Sequence, residues 1–143
     1  MQEIIYRKSN EKDLPQILEL LRVFDLNASN IVADGFCVAA DGARVLGCAR
    51  IIELSDGNVE LASVAVAEDR RKMGIGGKLI QTLLLSENRR PVYLMCRRSN
   101  QQFYEELGFS EIKDDLLPPI YRDKVKSKKG EVKVDGLAMI KEL

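Results

Sequence analysis

The stretch EDRRKMGIGGKL, Glu68 to Leu79, sets three glycines and four Lys/Arg side chains between the apolar runs VELASVAVA and LIQTLLL. The first run has the composition of a strand, the second the spacing of a helix. Glycine is a poor helix former, so three of them where a helix begins need a reason. A helix that starts directly after a strand leaves its first backbone N–H groups unpaired, beside the positive end of its dipole. That is an anion site, and glycines remove the side chains that would keep a phosphate away. The feature commits the chain to a strand–turn–helix and points to a phosphate-bearing ligand.

Two common phosphate loops fail on residues. A nucleoside-triphosphate loop needs Ser or Thr after its Gly-Lys pair. Here Leu79 follows Gly77-Lys78, and Lys72 stands where the first glycine belongs. A dinucleotide fingerprint needs a third glycine where this chain has Leu79. What remains is R-x-x-G-x-G, Arg71 to Gly76, with Arg71, Lys72 and Lys78 able to add charge around a polyphosphate.

The rest of the chain supplies the frame. Ile4, Ile5 and Tyr6 open a strand, and Leu14, Ile17, Leu18 and Leu21 share one helix face. Asp13 reads as that helix's N-cap, with Gln16 in the capping-box position. NASNIVAD reads as a loop or a short irregular helix. GFCVAA, a two-residue turn at Asp41-Gly42, ARVLGCARIIEL, the turn SDGN and VELASVAVA then predict a three-strand antiparallel meander. Leu79, Ile80, Leu83 and Leu84 mark the buried side of the next helix. A strand follows at Val92 to Cys96, then a helix in SNQQFYEELGF stopped at Gly108. FSEIK and GLAMIKEL close as strands. Between them DDLLPPIYRDKVKSKKGEVKV, proline-broken and basic, reads as a long loop.

At 143 residues the chain is expected to form one domain, residues 1–143. Lys+Arg 22 against Asp+Glu 22 gives no general attraction to nucleic acid or to an anionic membrane, so neither is an expected partner. No apolar run suits a membrane span, and the first ten residues lack the pattern of a secretory signal. Cys37, Cys48 and Cys96 are odd in number and lie in apolar strand-like segments, which suits reduced core thiols and a cytoplasmic location. With no histidine and no paired cysteines, no metal site is expected.

VAVAEDRRKMGIGGKLI followed by FYEELGF resembles the GCN5-related N-acetyltransferase (GNAT) superfamily. Arg71, Gly74 and Gly76 match its central motif, and Phe103, Tyr104, Gly108 and Phe109 match its later aromatic-Tyr and Gly-Phe pairs. The resemblance implies an α/β (α+β) fold with a mixed, mostly antiparallel central sheet flanked by helices, its strands splayed at the cofactor site. It implies acetyl-CoA as co-substrate, with the pyrophosphate on Arg71, Lys72, Met73, Gly74, Ile75, Gly76, Gly77 and Lys78. The pantetheine arm would pair with Val64, Ala65 and Val66. Many members carry an asparagine seven positions before the catalytic tyrosine. Here Arg97 takes that place, and Asn100 is read either as supplying the contact or as capping its helix.

The same resemblance implies Tyr104 as general acid. Glu60 is the expected base: an acidic residue in an apolar strand needs a reason, and alternation puts it on one face with Ala62, Val64 and Val66. The alternatives are a strand-end glutamate in water, or one paired with Arg50. Shorter similarities, LGCARIIEL and the tail GFSEIKDDLLPP, resemble the acetyltransferase domain of N-acetylglutamate synthases and favour an amino acid as acceptor. Arg50, Arg97 and Arg98 are candidates for its carboxylate. The expected activity is transfer of an acetyl group to a primary amine of a small molecule, by a monomer or homodimer. The alternatives are a protein-acetylating enzyme and a non-catalytic acyl-CoA-binding module.

Overall fold

The computed structural model of the chain describes residues 3–132 and 135–143. In order, the elements are β1 (Ile5–Lys8), α1 (Leu14–Val23), β2 (Phe36–Asp41), β3 (Arg44–Glu53), β4 (Val59–Val66) and α2 (Ile75–Ser86). They continue with β5 (Val92–Arg97), α3 (Gln101–Glu106), β6 (Ser110–Ile112), α4 (Pro119–Val132) and β7 (Gly136–Lys141). The strand order is β1-β2-β3-β4-β5-β7-β6. Pairing is antiparallel for β1–β2, β2–β3, β5–β7 and β6–β7, and parallel for β4–β5. The mixed, mostly antiparallel sheet expected from the sequence is therefore present. The chain divides into two compact units, Met1–Ile51 with Ala62–Asn88, and Ile52–Leu61 with Arg89–Leu143.

In the first unit Ile17 and Leu21 of α1 pack into a core with Phe36, Val38, Val45, Cys48 and Ala65. Leu18, counted on the same helix face, lies at its edge and is exposed. The helix also begins differently from the reading above. Asn10 caps a short 3-10 turn, Glu11–Asp13, that leads into α1. Asp13 makes no cap for α1: its carboxylate accepts two bonds from Arg7 and one from the Asn10 N–H. Gln16 instead bridges to the Ala43 carbonyl and the Val45 N–H. The β2–β3 turn is displaced by one residue. Asp41 pairs with Arg44, so Gly42, at φ +59, and Ala43 form the loop.

Gly47 of β3 sets how closely α2 approaches the sheet. A Cβ there would meet the Ala65 carbonyl oxygen and Leu79 Cδ1 at 3.0 Å each, and Ile75 Cγ2 at 3.4 Å. Neither the β4 backbone nor the buried Leu79 can retreat freely, so Gly47→Ala is expected to cost about 1–3 kcal/mol of stability. Urea denaturation of the variant, read at constant slope, measures it.

In the second unit Tyr93, Leu117, Tyr121, Val125 and Ala138 form the core, with Met95, Ile112 and Ile140 against it. Here the structure corrects the sequence reading most. The segment read as a long loop contains a 3-10 turn, Asp114–Leu116, and the helix α4; its residues 133 and 134 lie outside the described residues. Pro119 does not break that helix. It opens it, at a position where the missing N–H would have no helical partner anyway.

Candidate active site

The expected phosphate turn lies in the first unit. After β4 comes a 3-10 turn, Glu68–Arg70, then extended Arg71, left-handed Lys72 (φ +64), and Gly74 (φ +79) as the N-cap of α2. The first helical bond runs from the Lys78 N–H to the Gly74 carbonyl at 3.1 Å, and no side chain caps the helix. A Cβ on Gly74 would find no heavy atom within 4 Å, so glycine is required by the backbone, and the space in front of the turn is open. Arg70 faces Asp41, and Arg44 holds Asp69 through two bonds of 2.9 and 2.7 Å, which ties the β2–β3 hairpin to the turn. Arg71 lies 4.7 Å from the Phe24 ring centre and Lys78 Nζ 5.0 Å from that of Tyr6. Both residues are exposed, as are Lys72 and Met73. An uncapped helix start with open space before it and exposed cations in the same turn suits an anionic group such as a phosphate.

One strand, β4, leads to that turn and carries Glu60 near its start. The parallel ladder with β5 covers Val59↔Val92 and Glu60↔Tyr93. Three residues later Ser63 takes a left-handed backbone, φ +56, which interrupts the alternation assumed between Glu60 and Val66. Arg50 holds this kink. It donates Nε to Ser63 Oγ at 2.9 Å, Nη2 to the Asn27 carbonyl at 3.0 Å and Nη1 to the Ser29 carbonyl at 2.9 Å. Ser63 Oγ in turn donates to the Asn27 carbonyl. Arg50 is 5% exposed, and its guanidinium stabilises local backbone where the sequence offered it to a substrate carboxylate. Beyond the kink Ala65 is buried, while Val64 and Val66 are partly exposed.

Glu60 is 6% exposed, so it is not a strand-end group in water. Its Oε2 accepts from the Tyr121 hydroxyl at 2.7 Å and its Oε1 from Lys124 Nζ at 2.5 Å. Tyr121 is fully buried, its ring 5.4 Å from that of Tyr93. A carboxylate has about four lone-pair sites, so two donors leave capacity for an incoming amine. Neither Tyr121 nor Lys124 was expected from the sequence. The available signal was Tyr121 and Val125, apolar-faced residues four apart, with Leu117 just before them in the same core.

Tyr104, on α3, packs its ring edge-on to Phe109 at 6.1 Å between centres. Burial, with the Cys96 sulfur as a second cause, pushes its pKa well above the ordinary tyrosine value. It is a neutral O–H donor at physiological pH. Burial and the adjoining Glu60 raise Tyr121 likewise, again with Cys96 contributing. Tyr121 and Glu60 are joined by a hydrogen bond, and Tyr104 lies in the same unit. Asn100 caps nothing: it is exposed at the start of α3 with no side-chain capping bond. Arg98 is bound to Asp135 and Glu111, and Arg97 is exposed at the end of β5. A cleft of about 670 Å³ in this unit, lined by Arg98, Lys113, Arg122 and Lys126 among others, includes neither Glu60 nor Tyr104.

The cysteines are free thiols; burial raises Cys48 to about 12 and Cys96 to about 11 from an ordinary value of 9.0. With Tyr104 and Tyr121 also raised, all four groups favour their neutral forms in the folded state. Raised folded pKa values contribute stability that is complete below the unfolded values and lost as pH climbs past them. Stability is therefore expected to fall from about pH 9 upward, with a shallower fall in Cys48→Ala. Urea midpoints at pH 7, 9, 10 and 11 check this.

Fold and turn together define the class: a mixed sheet whose strand β4 feeds a glycine-started helix is the architecture of acetyltransferases. The model of the acetyltransferase (GNAT) domain family matches residues 33–111. An uncharacterized N-acetyltransferase of Chlorobaculum tepidum is 31% identical over 112 residues, 76% of this chain and 70% of that protein. Among solved structures, the N-acetylglutamate synthase of Neisseria gonorrhoeae, complexed with coenzyme A and N-acetyl-glutamate, matches with TM-score 0.80 at 17% identity. That match covers 100% of this chain and 36% of that one, so the chain spans about a third of the synthase's length. Diaminobutyrate acetyltransferase of Paenibacillus lautus, complexed with L-2,4-diaminobutyric acid and coenzyme A, matches with TM-score 0.69 at 16% identity, over 99% of this chain and 96% of that one. The chain belongs to the GNAT family and is an acetyltransferase. Among the described residues no helix is long and apolar enough to cross a membrane, and no group of three or more His, Cys, Asp or Glu could hold a metal ion.

Proposed function

We propose that residues 1–143 act as one domain that transfers the acetyl group of acetyl-CoA to a primary amine of a small molecule, an amino acid being the favoured acceptor. The observation that carries this reading is β4, which bears a buried, hydrogen-bonded glutamate near one end and leads to an uncapped, glycine-started helix at the other. Bound acetyl-CoA supplies an activated acetyl thioester. Gly74, Gly76 and Gly77 admit its pyrophosphate to the first turn of α2, and Arg71, Lys72 and Lys78 surround it with charge. Met73 and Ile75 lie within the same turn. The backbone of Val64, Ala65 and Val66, beyond the residues that pair with β5, pairs with the pantetheine arm.

An amine attacks only as the free base, whereas an α-amine, with a pKa of about 7.7–8.0, is largely ammonium at neutral pH. Glu60 takes that proton, held in place by Tyr121. Tyr104, kept protonated by burial, donates to the departing sulfur. Arg97, exposed at the end of β5, is the cation left for an acceptor carboxylate once Arg50 and Arg98 are assigned to their partners. Asn100, with its side chain uncommitted to capping, remains a cofactor contact. The amino-acid preference also leans on the similarity to N-acetylglutamate synthases and on the diaminobutyric acid bound by a structural neighbour.

The test is thiol release from acetyl-CoA across a panel of amino acids, polyamines and peptides. Turnover on free amino acids is expected. Turnover on peptides alone would overturn the small-molecule reading, and coenzyme A binding without turnover would favour the non-catalytic module.

A further inference from the structure

A general base is recognised by the amine it touches, because proton removal requires hydrogen-bond reach. In this chain the amine touching Glu60 belongs to the protein itself. Lys124 Nζ lies 2.5 Å from Glu60 Oε1, while Tyr121 holds Oε2 from the preceding turn of α4. The Lys124 side chain is 29% exposed, whereas the Glu60 side chain it meets is 8% exposed. A primary amine, a buried carboxylate and the Tyr121 hydroxyl therefore stand together before any acceptor arrives.

From this juxtaposition we propose that Lys124 is a self-acetylation site: the enzyme transfers an acetyl group from acetyl-CoA to its own Lys124 Nζ. The proposal rests on the acetyl-CoA-dependent reading above and deepens it, since it makes the Glu60–Tyr121 pair the subsite for the acceptor amine. The chemistry balances. The Lys124 ammonium gives one proton to Glu60, and the nitrogen lone pair forms a bond to the thioester carbonyl carbon. The C–S bond breaks, and the sulfur leaves and takes up a proton from Tyr104. The nitrogen's second proton returns to that tyrosine through solvent, and Glu60 releases its own. The products are N-acetyl-lysine, free coenzyme A and one proton. Acetylation removes the Lys124 charge and so breaks its ion pair with Glu60.

The experiment incubates the full chain with acetyl-CoA and no acceptor, then maps acetyl groups by peptide mass spectrometry over time. Lys126, exposed two residues further along α4, is the internal reference for uncatalysed acetylation. The expected result is one acetyl group on Lys124, formed at least about tenfold faster than on Lys126. Its rate constant should not change with protein concentration, and a saturating free amine should slow it. In Glu60→Gln the Lys124 rate should fall to that of Lys126. Equal rates at the two lysines in the unmodified sequence would overturn the proposal without recourse to any variant, as would a rate that rises with protein concentration. Turnover on free amines with Lys124 unmodified would overturn self-acetylation alone. Absence of both coenzyme A binding and turnover would overturn the parent reading with it.

Discussion

Glutamine at position 60 is expected to lower kcat about 10²–10³-fold at pH values below the pKa of the acceptor amine. The deficit should shrink as pH rises through that pKa, because an acceptor already present as free base needs no deprotonation. Glutamine keeps the shape and can still meet the Tyr121 hydroxyl and Lys124, so packing around α4 is largely retained. A destabilised variant would instead lose activity evenly across pH. The measurement is the pH–rate profile of thiol release for both proteins under saturating acetyl-CoA. An unchanged profile would remove Glu60 as the base and leave it a structural ion-pair partner of Lys124.

Valine at position 74 is the second large effect, and it acts on the cofactor. Gly74 has φ +79, a conformation that costs an L-residue about 1–2 kcal/mol and a β-branched one more. The protein itself offers no clash, since a Cβ there meets nothing within 4 Å. The side chain would project into the space assigned to the pyrophosphate. Losing one hydrogen bond to a charged group, worth about 1.5–3 kcal/mol, corresponds to roughly a 10–100-fold rise in KM for acetyl-CoA. At saturation kcat should change far less, and KM for the amine should hold. Gly74→Ala separates the two contributions: it carries most of the strain but little of the bulk. A KM rise in Gly74→Val no larger than in Gly74→Ala would mean that the turn does not face the phosphates.

The sequence carried the frame of the fold because its signals were local. The meander from Phe36 to Val66 was legible from strand-like runs separated by Asp-Gly turns, and the α2 start from glycines whose conformational freedom has no other use. What was not legible came from contacts distant in sequence. Asp13 looks like an N-cap until Arg7, on β1, takes both its oxygens. Arg50 looks like a surface cation until the left-handed Ser63 and the carbonyls of Asn27 and Ser29 claim its guanidinium. The largest miss was α4. Two prolines and a run of lysines suggested a loop, because only Tyr121 and Val125 of its described side chains are buried. Reading it as a loop concealed Tyr121 and Lys124, which lie three residues apart on one face of a helix and supply both partners of Glu60. That Glu60 is no ordinary strand-end glutamate was legible; its partners were not.

Direct transfer from acetyl-CoA requires the amine to be held on the protein together with it. Initial-velocity kinetics of thiol release, varying acetyl-CoA against the best amine of the panel, test it most directly. Repeated turnover is expected, well beyond the single equivalent consumed at Lys124, with double-reciprocal lines that intersect. Parallel lines, or release that stops at one equivalent in the presence of every amine, would contradict it.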